Sequence, residues 1–414
     1  MSAARSRSAN FVLLTAVALI ALNLRPFMTG IGPLAIDISQ NTGLRLQGMA
    51  LLTLVPMLLM GAFAFAGPLL QNRVGARRSI LAALALLVMG SFLRLFTTNG
   101  WQLVGTAALL GLGTAVVQAL LPGIVKRMFP RHVSMVMGLY SAMLMGGGAL
   151  GAQISPLVAG LSGDWHLGLA WMALIAALAF ALGAFTLPAD AIEGTRRIAV
   201  GEYLRRSRVW LLMACFGLVN GGYSTVVAWL SPFYRELGWS ATASGSLLAI
   251  LAVGQATSAL LMPTFARKSK DRRPWIWLAL AMQVLGFSAL AFWPQGAPAL
   301  WAILLGAGLG GCFALTFIVA LDHLSDPAQA GALSALMQGG GFLIAAIPPW
   351  IVAVLHDYTG GFFAGWLLHL GCVGVAIVLV RRLTPESYAI SMAMPSRKTP
   401  FESLPRRFGE AGSE

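Results

Sequence analysis

The sequence is short of charge. Only 10% of its 414 residues are Asp, Glu, Lys or Arg, against about 25% in a soluble globular chain. Acid is scarcer than base, with 14 Asp and Glu against 28 Lys and Arg, a formal net charge of +14. Cysteine is rarer still. Cys215, Cys312 and Cys372 lie far apart in apolar surroundings with no CxxC between them, which excludes a disulfide framework and a zinc ribbon. No HExxH, GxSxG or Walker sequence occurs, and the five histidines are scattered. Without a nucleophile–base pair, a ligand cluster or a phosphate loop, the chain is expected to be no enzyme. No cofactor and no metal is expected either.

What is there is apolar. Hydrophobic residues make up 58% of the chain, and the mean hydropathy is +0.79. A water-facing fold cannot hide so much apolar surface, whereas a bilayer accepts spans of about 20 such residues. Twelve spans are predicted, at about 11–36, 47–71, 79–98, 101–125, 134–159, 167–188, 209–233, 243–266, 275–294, 298–321, 330–355 and 361–380. With the N-terminus inside, every Lys and Arg falls on the cytoplasmic side except Arg25, Arg45, Arg94 and Arg235. That bias predicts a multi-pass protein of the inner (plasma) membrane with both termini in the cytoplasm. The basic clusters then serve insertion and contact with membrane lipids, not nucleic acid.

The chain also repeats itself. Residues 138–159 (GLYSAMLMGGGALGAQISPLVA) align without a gap to 331–352 (GALSALMQGGGFLIAAIPPWIV), with ten identities in 22. The predicted organisation is a six-helix half over 1–188, a linker over 189–208, a second six-helix half over 209–382 and a disordered tail over 383–414. Two parallel halves of this kind build the major facilitator transporters. The loop after span two, GPLLQNRVGARRS, resembles that superfamily's conformational loop through Arg73, Gly75, Arg77 and Arg78, with Asn72 where an acidic residue is usual. The fold class expected is an all-α membrane protein of two pseudo-symmetric bundles.

Within that fold Arg25 is the outlier. It interrupts an apolar run, is followed by Pro26, and has no acidic residue at its depth. An arginine at a helix centre costs roughly 2.5–3.5 kcal/mol on insertion. Such a charge is tolerable facing a wet cavity where it binds an entering anion, or if amides and carbonyls of neighbouring helices satisfy it. The first reading is carried forward, with Asn23, Thr29, Gln118, Asn220, Tyr223, Ser224, Gln255 and Gln338 as neutral polar candidates around the same site. Arg94, near the end of span three, is expected to snorkel to the headgroups. Trp229 is expected in an interfacial belt, and Gln283 and His369 in packing. His323 beside Asp322 is expected to serve as a helix-end pair rather than a proton relay. The triple glycines 146–148 and 339–341 are expected to let helices pack closely.

Four stretches together resemble the cyanate porter family of the major facilitator superfamily: LNLRPFMTGIGPL, QALLPGIVKRMFP, GLVNGGYSTVVAWLSPFY and GLGGCFALTFIVALDH. The resemblance covers about 10–382 and is closest to the cyanate-transporting members; the family also holds a transporter of 2-nitroimidazole. It implies a secondary transporter that moves a small anion, foremost cyanate, by alternating access, with Arg25 as the positive group. The expected partners are that substrate and membrane lipids, and the protein is expected to be a monomer. An exporter of nitroimidazole or other small aromatic compounds is the alternative, and a transporter-like sensor a further one.

Overall fold

The computed structural model describes residues 2–129, 133–187, 200–266, 269–324 and 327–392. Among these residues the secondary structure is helical, and twelve helical segments are long and apolar enough to cross a bilayer. They are Phe11–Thr42, Leu46–Ala64, Ala76–Phe96, Gly100–Pro122, Leu139–Ser162, Trp165–Thr186, Ser207–Glu236, Ala241–Ala266, Arg273–Phe292, Pro298–Asp322, Ala332–Thr359 and Phe363–Val380, numbered here as spans one to twelve. Hydrocarbon offers no partner for a backbone amide, so each segment satisfies its own as a helix. Turns between them are cut by residues of fixed purpose. Gly43 and Gly360 end spans one and eleven at φ 69° and 73°, conformations that favour glycine. The side chain of Asn99 starts span four by accepting from the Gln102 N–H at 3.0 Å.

Contacts between spans reproduce the sequence repeat. In one half, span one packs on five, two on four and three on six. In the other, seven packs on eleven, eight on ten and nine on twelve. The most extensive contacts between the halves are span five against eight and span two against eleven, and the broken part of span one also packs on seven and eight. Burial sorts the layers. Span seven is 78% buried over its most apolar window and spans one, four and ten 61%, whereas spans six and twelve are 39% and 33% buried. Spans one, four, seven and ten therefore form the centre, and six and twelve face lipid.

The triple glycines behave as expected. A Cβ on Gly147 would run into the Leu22 carbonyl oxygen of span one. One on Gly341 would meet Phe216 and, at 3.3 Å, the Gly217 nitrogen of span seven. Each half thus seats its fifth helix on its first through a bare backbone.

The tail departs from expectation over its first ten residues. Ser387–Met392 is a helix, held by Arg208 at the start of span seven. That guanidinium donates to Ser387 Oγ at 2.6 Å, Ser391 Oγ at 3.1 Å and the Arg382 carbonyl at 2.6 Å. Tyr388 stacks on His323 with ring centroids 3.9 Å apart. The expectation of disorder for 393–414, and most of the linker, lie outside the described residues.

Candidate functional site

Span one is not one helix. Its first helix ends at Leu22, and a second turn runs from Pro26 to Thr29. A 3-10 turn follows over Gly32–Leu34, then a helix over Ala35–Thr42. Proline disfavours helical geometry in the residue before it and brings no N–H of its own. Arg25 accordingly sits in the break, at φ −125° and ψ −27°. Span five lies directly on this break: a Cβ on Gly151 would be 2.5 Å from Pro26 Cα, and one on Gly148 3.6 Å from Arg25 Cβ.

The Arg25 side chain is 4% exposed. Its guanidinium carbon lies 5.1 Å from the centroid of the Tyr223 ring, on span seven of the other half. Nε and Nη1 are buried and have no hydrogen-bond partner among the described residues. The described ion pairs are Asp164–His166, Asp322–Arg272, Asp271–Arg273 and Glu236–His356, none of which involves Arg25. A cation over an aromatic face gains about 2 kcal/mol when desolvated, whereas a buried, unpaired ion costs several. The guanidinium thus holds two orphaned donors at the seam between the two halves.

Tyr140 of span five is buried on the face that meets this break. The sequence reading missed it, although Tyr140, Gly147, Gly148 and Gly151 share one helical face, at steps of 7, 8 and 11 residues.

The other candidates divide. The hydroxyl of Thr29 reaches the carbonyls of Arg25 and Pro26 at 3.4 and 3.3 Å. That of Ser224 reaches those of Gly221 and Ala345 at 3.0 and 2.6 Å. Each has a single hydrogen, so in this conformation both hold backbone in place instead of offering it to a ligand. Asn23 Nδ2 binds the Leu19 carbonyl at 2.8 Å and that of Ile175, on span six, at 3.4 Å. Asn220 Nδ2 turns back to the Phe216 carbonyl at 2.8 Å. No described contact joins Gln118, Gln255 or Gln338 to Arg25. Gln283 is buried and donates to the Gly308 carbonyl at 3.1 Å, and His369 stacks on Phe287, as packing residues do.

Residues 13–349 match the model of the Major Facilitator Superfamily. The chain belongs to that superfamily. It is 41% identical over 377 residues to the cyanate transport protein CynX of Escherichia coli (strain K12), covering 91% of this chain and 98% of that protein. It is 31% identical to the 2-nitroimidazole transporter of the same organism, over 89% of this chain and 92% of that protein. Among solved structures it is similar to a bacterial homolog of the human lysosomal transporter Spinster. The TM-score is 0.77 at 14% identity, covering 94% of this chain and 99% of that one. The chain is thus a membrane transporter of the major facilitator type, as its relatives are.

The seam between the halves is closed at one end. The distal face is the one opposite the two chain ends. Near it Gln47 donates to Asp357 at 2.9 Å, Ser246 to Gln153 at 2.8 Å, and Arg235 to the Pro33 carbonyl at 3.4 Å. All three join one half to the other. Beneath them Met28, Ile31, Met49, Leu52 and Trp229 line a small cavity of about 10 Å³, room for about one water molecule. Trp229 is therefore no interfacial belt residue. It is buried, and its Nε1 donates to the Pro349 carbonyl at 2.8 Å beside Phe362.

Arg94 is a second correction. It does not snorkel; it is 0% exposed, and its Nη1 donates to the Phe27 carbonyl of span one at 3.2 Å. The position near the helix end suggested lipid, but the side chain turns inward to an acceptor that the break in span one leaves free.

At the superfamily's loop, Gly75 has φ 95° and ψ 150°, a conformation essentially restricted to glycine. Arg77 Nη2 donates to the Ala184 carbonyl at 2.6 Å, tying the loop to span six, while Arg73 and Arg78 are exposed. The side chain of Asn72 lies outside the described residues. In the LDH segment at the C-terminal end of span ten, the acid and the imidazole have separate partners. Asp322 pairs with Arg272 at 3.4 Å, and His323 Nδ1 faces the Val319 carbonyl at 2.6 Å.

Proposed function

We propose that this transporter carries a small monovalent anion, foremost cyanate, across the bacterial inner membrane by alternating access. The observation that carries the reading is Arg25: a buried guanidinium between the halves, with two unpartnered nitrogens and no carboxylate. A guanidinium is weakly hydrated and keeps its charge in a dry site, and its planar fork suits a small soft anion. Tyr223 flanks it with a phenol group that can donate to the same guest, and Tyr140 is proposed to do so from span five. Gln118, Gln255 and Gln338 are proposed to join when the halves rearrange. Asn23, Thr29, Asn220 and Ser224 shape the cage around the break.

In this reading the distal face is the outer one, both termini are cytoplasmic, and the closed seam belongs to a state that exchanges substrate with the inside. The loop from Asn72 to Arg78 acts in switching between states, and the protein works as a monomer among lipids. The 41% identity to a cyanate transport protein supports the substrate class.

The test is uptake of radiolabelled cyanate into proteoliposomes. Arg25→Gln keeps a polar amide but removes the charge, and is expected to abolish saturable uptake. Wild-type affinity in that variant would refute the assignment. A second reading, export of a small nitroaromatic compound, is favoured by the Tyr223 ring against Arg25 and by the 31% identity to a 2-nitroimidazole transporter. Competition separates the two. Under the first reading cyanate and other small anions displace the label and neutral 2-nitroimidazole does not.

A further inference from the structure

We propose that Arg94 is a positioning residue for Arg25: it replaces the backbone donor that the broken helix withholds from Phe27. This rests on the reading of Arg25 as the anion-binding group. In an unbroken helix the Phe27 carbonyl would accept from the N–H of Ile31. Here the Ile31 N–H goes to Met28 at 3.3 Å, and that of Gly30 to Pro26 at 2.9 Å. The Phe27 carbonyl is left over in a fully buried place, where an unmet acceptor is costly. Arg94 Nη1 fills the gap at 3.2 Å, from a different span.

The strut is itself anchored. Arg94 opens the 3-10 turn Arg94–Phe96 at the distal end of span three. The Thr97 hydroxyl donates to the Arg94 carbonyl at 3.0 Å. His166 Nε2 lies 2.9 Å from the Thr97 carbonyl, and its Nδ1 lies 2.7 Å from the Asp164 carboxylate. A chain of polar contacts therefore runs from the distal loop to the one-turn helix that begins at Pro26. That turn fixes where Arg25 leaves the backbone.

Arg94 also brings charge. Its Nε and Nη2 have no partner, and no described carboxylate faces it. The N-terminal half thus holds two buried guanidiniums, one at the seam and one behind it, whose fields add at the proposed anion site. Lysine would restore the charge and one donor but not the fork.

The test uses the full-length protein in proteoliposomes with radiolabelled cyanate, comparing Arg94→Met, Arg94→Lys and Arg25→Gln. Arg94→Met is expected to raise KM about tenfold or more, as for a lost hydrogen bond to a charged group, with the maximal rate per folded molecule little changed. Arg94→Lys is expected to recover much of that loss. A purely structural arginine would lower melting temperature and yield in both variants and leave KM of the folded fraction where it was; that result overturns the proposal. If Arg94→Met does not fold, Arg94→Gln replaces it, and an unchanged KM there with wild-type melting also overturns the proposal. Loss of uptake in Arg25→Gln beside an unchanged KM at Arg94 sinks this inference and spares Arg25. Normal uptake in Arg25→Gln sinks both.

Discussion

Gly245 allows a direct test of the closed seam. It lies near the distal end of span eight, buried against the other half. A Cβ there would overlap the Ala152 carbonyl oxygen and stand 3.2 Å from the Cγ atoms of Pro156 and Pro33. All three neighbours belong to the N-terminal half, and the nearest is backbone, which cannot swing aside. Gly245→Ala therefore acts as a wedge between the halves without crowding the interior of either. Overpacking by one methyl group typically costs 1–3 kcal/mol. Here the strain falls on the distally closed state alone, so the ratio of open to closed should rise by about 5- to 150-fold.

The change can be read from a thiol placed at Thr53, which is 3% exposed and lines the small distal cavity. Cys215 and Cys312 are buried and Cys372 half-buried, so the chain without the added thiol gives the background. A membrane-impermeant maleimide should label Thr53→Cys slowly alone and at least fivefold faster with Gly245→Ala. Gly146→Ala is the control, because nothing lies within 4 Å of its Cβ. If Gly245→Ala folds normally and labelling does not change, the halves do not separate along this contact.

Two other outcomes follow from the same geometry. Gly147→Ala drives a methyl group into the Leu22 carbonyl within one half, so it should reduce folded protein, seen as a lower melting temperature and yield, rather than shift labelling. His323 offers a pH test. Burial, aided by the Arg208 charge and opposed by the bond to the Val319 carbonyl, lowers its pKa from 6.5 to about 4. Below pH 6.5 the unfolded ring takes up a proton that the folded one refuses until about pH 4, so stability falls across that window and levels off beneath it. The limit is roughly 3 kcal/mol. Melting temperature should decline between pH 6.5 and 4, and His323→Phe, which keeps a ring against Tyr388, should flatten that decline.

Much of this was legible in the chain. Twelve apolar runs, the repeated triple glycines and the isolation of Arg25 are linear facts, and each corresponds to a feature of the fold. What escaped reading depends on partners remote in sequence. Arg94 looked like a lipid-facing side chain because its acceptor, Phe27, exists only where another helix breaks. Trp229 looked interfacial because the Pro349 carbonyl that holds it lies 120 residues on. Thr29 and Ser224 are polar residues at the right depth, but a hydroxyl's one hydrogen goes to the nearest free carbonyl, and a broken span supplies several. The tail reads as polar and unstructured until Arg208, 179 residues from Ser387, is brought beneath it.

The break in span one also bears on biogenesis. Synthesis runs from the N-terminus, so Arg25 reaches the bilayer long before the ring of Tyr223 has been made. The ribosome must deliver a helix carrying a naked cation, followed by another with Arg94, and neither can yet lean on its final neighbour. The apolar residues on either side of Arg25 have to hold the first segment in the membrane during that interval. Lipid solubility of the first span is thus a requirement of assembly as well as of the finished fold.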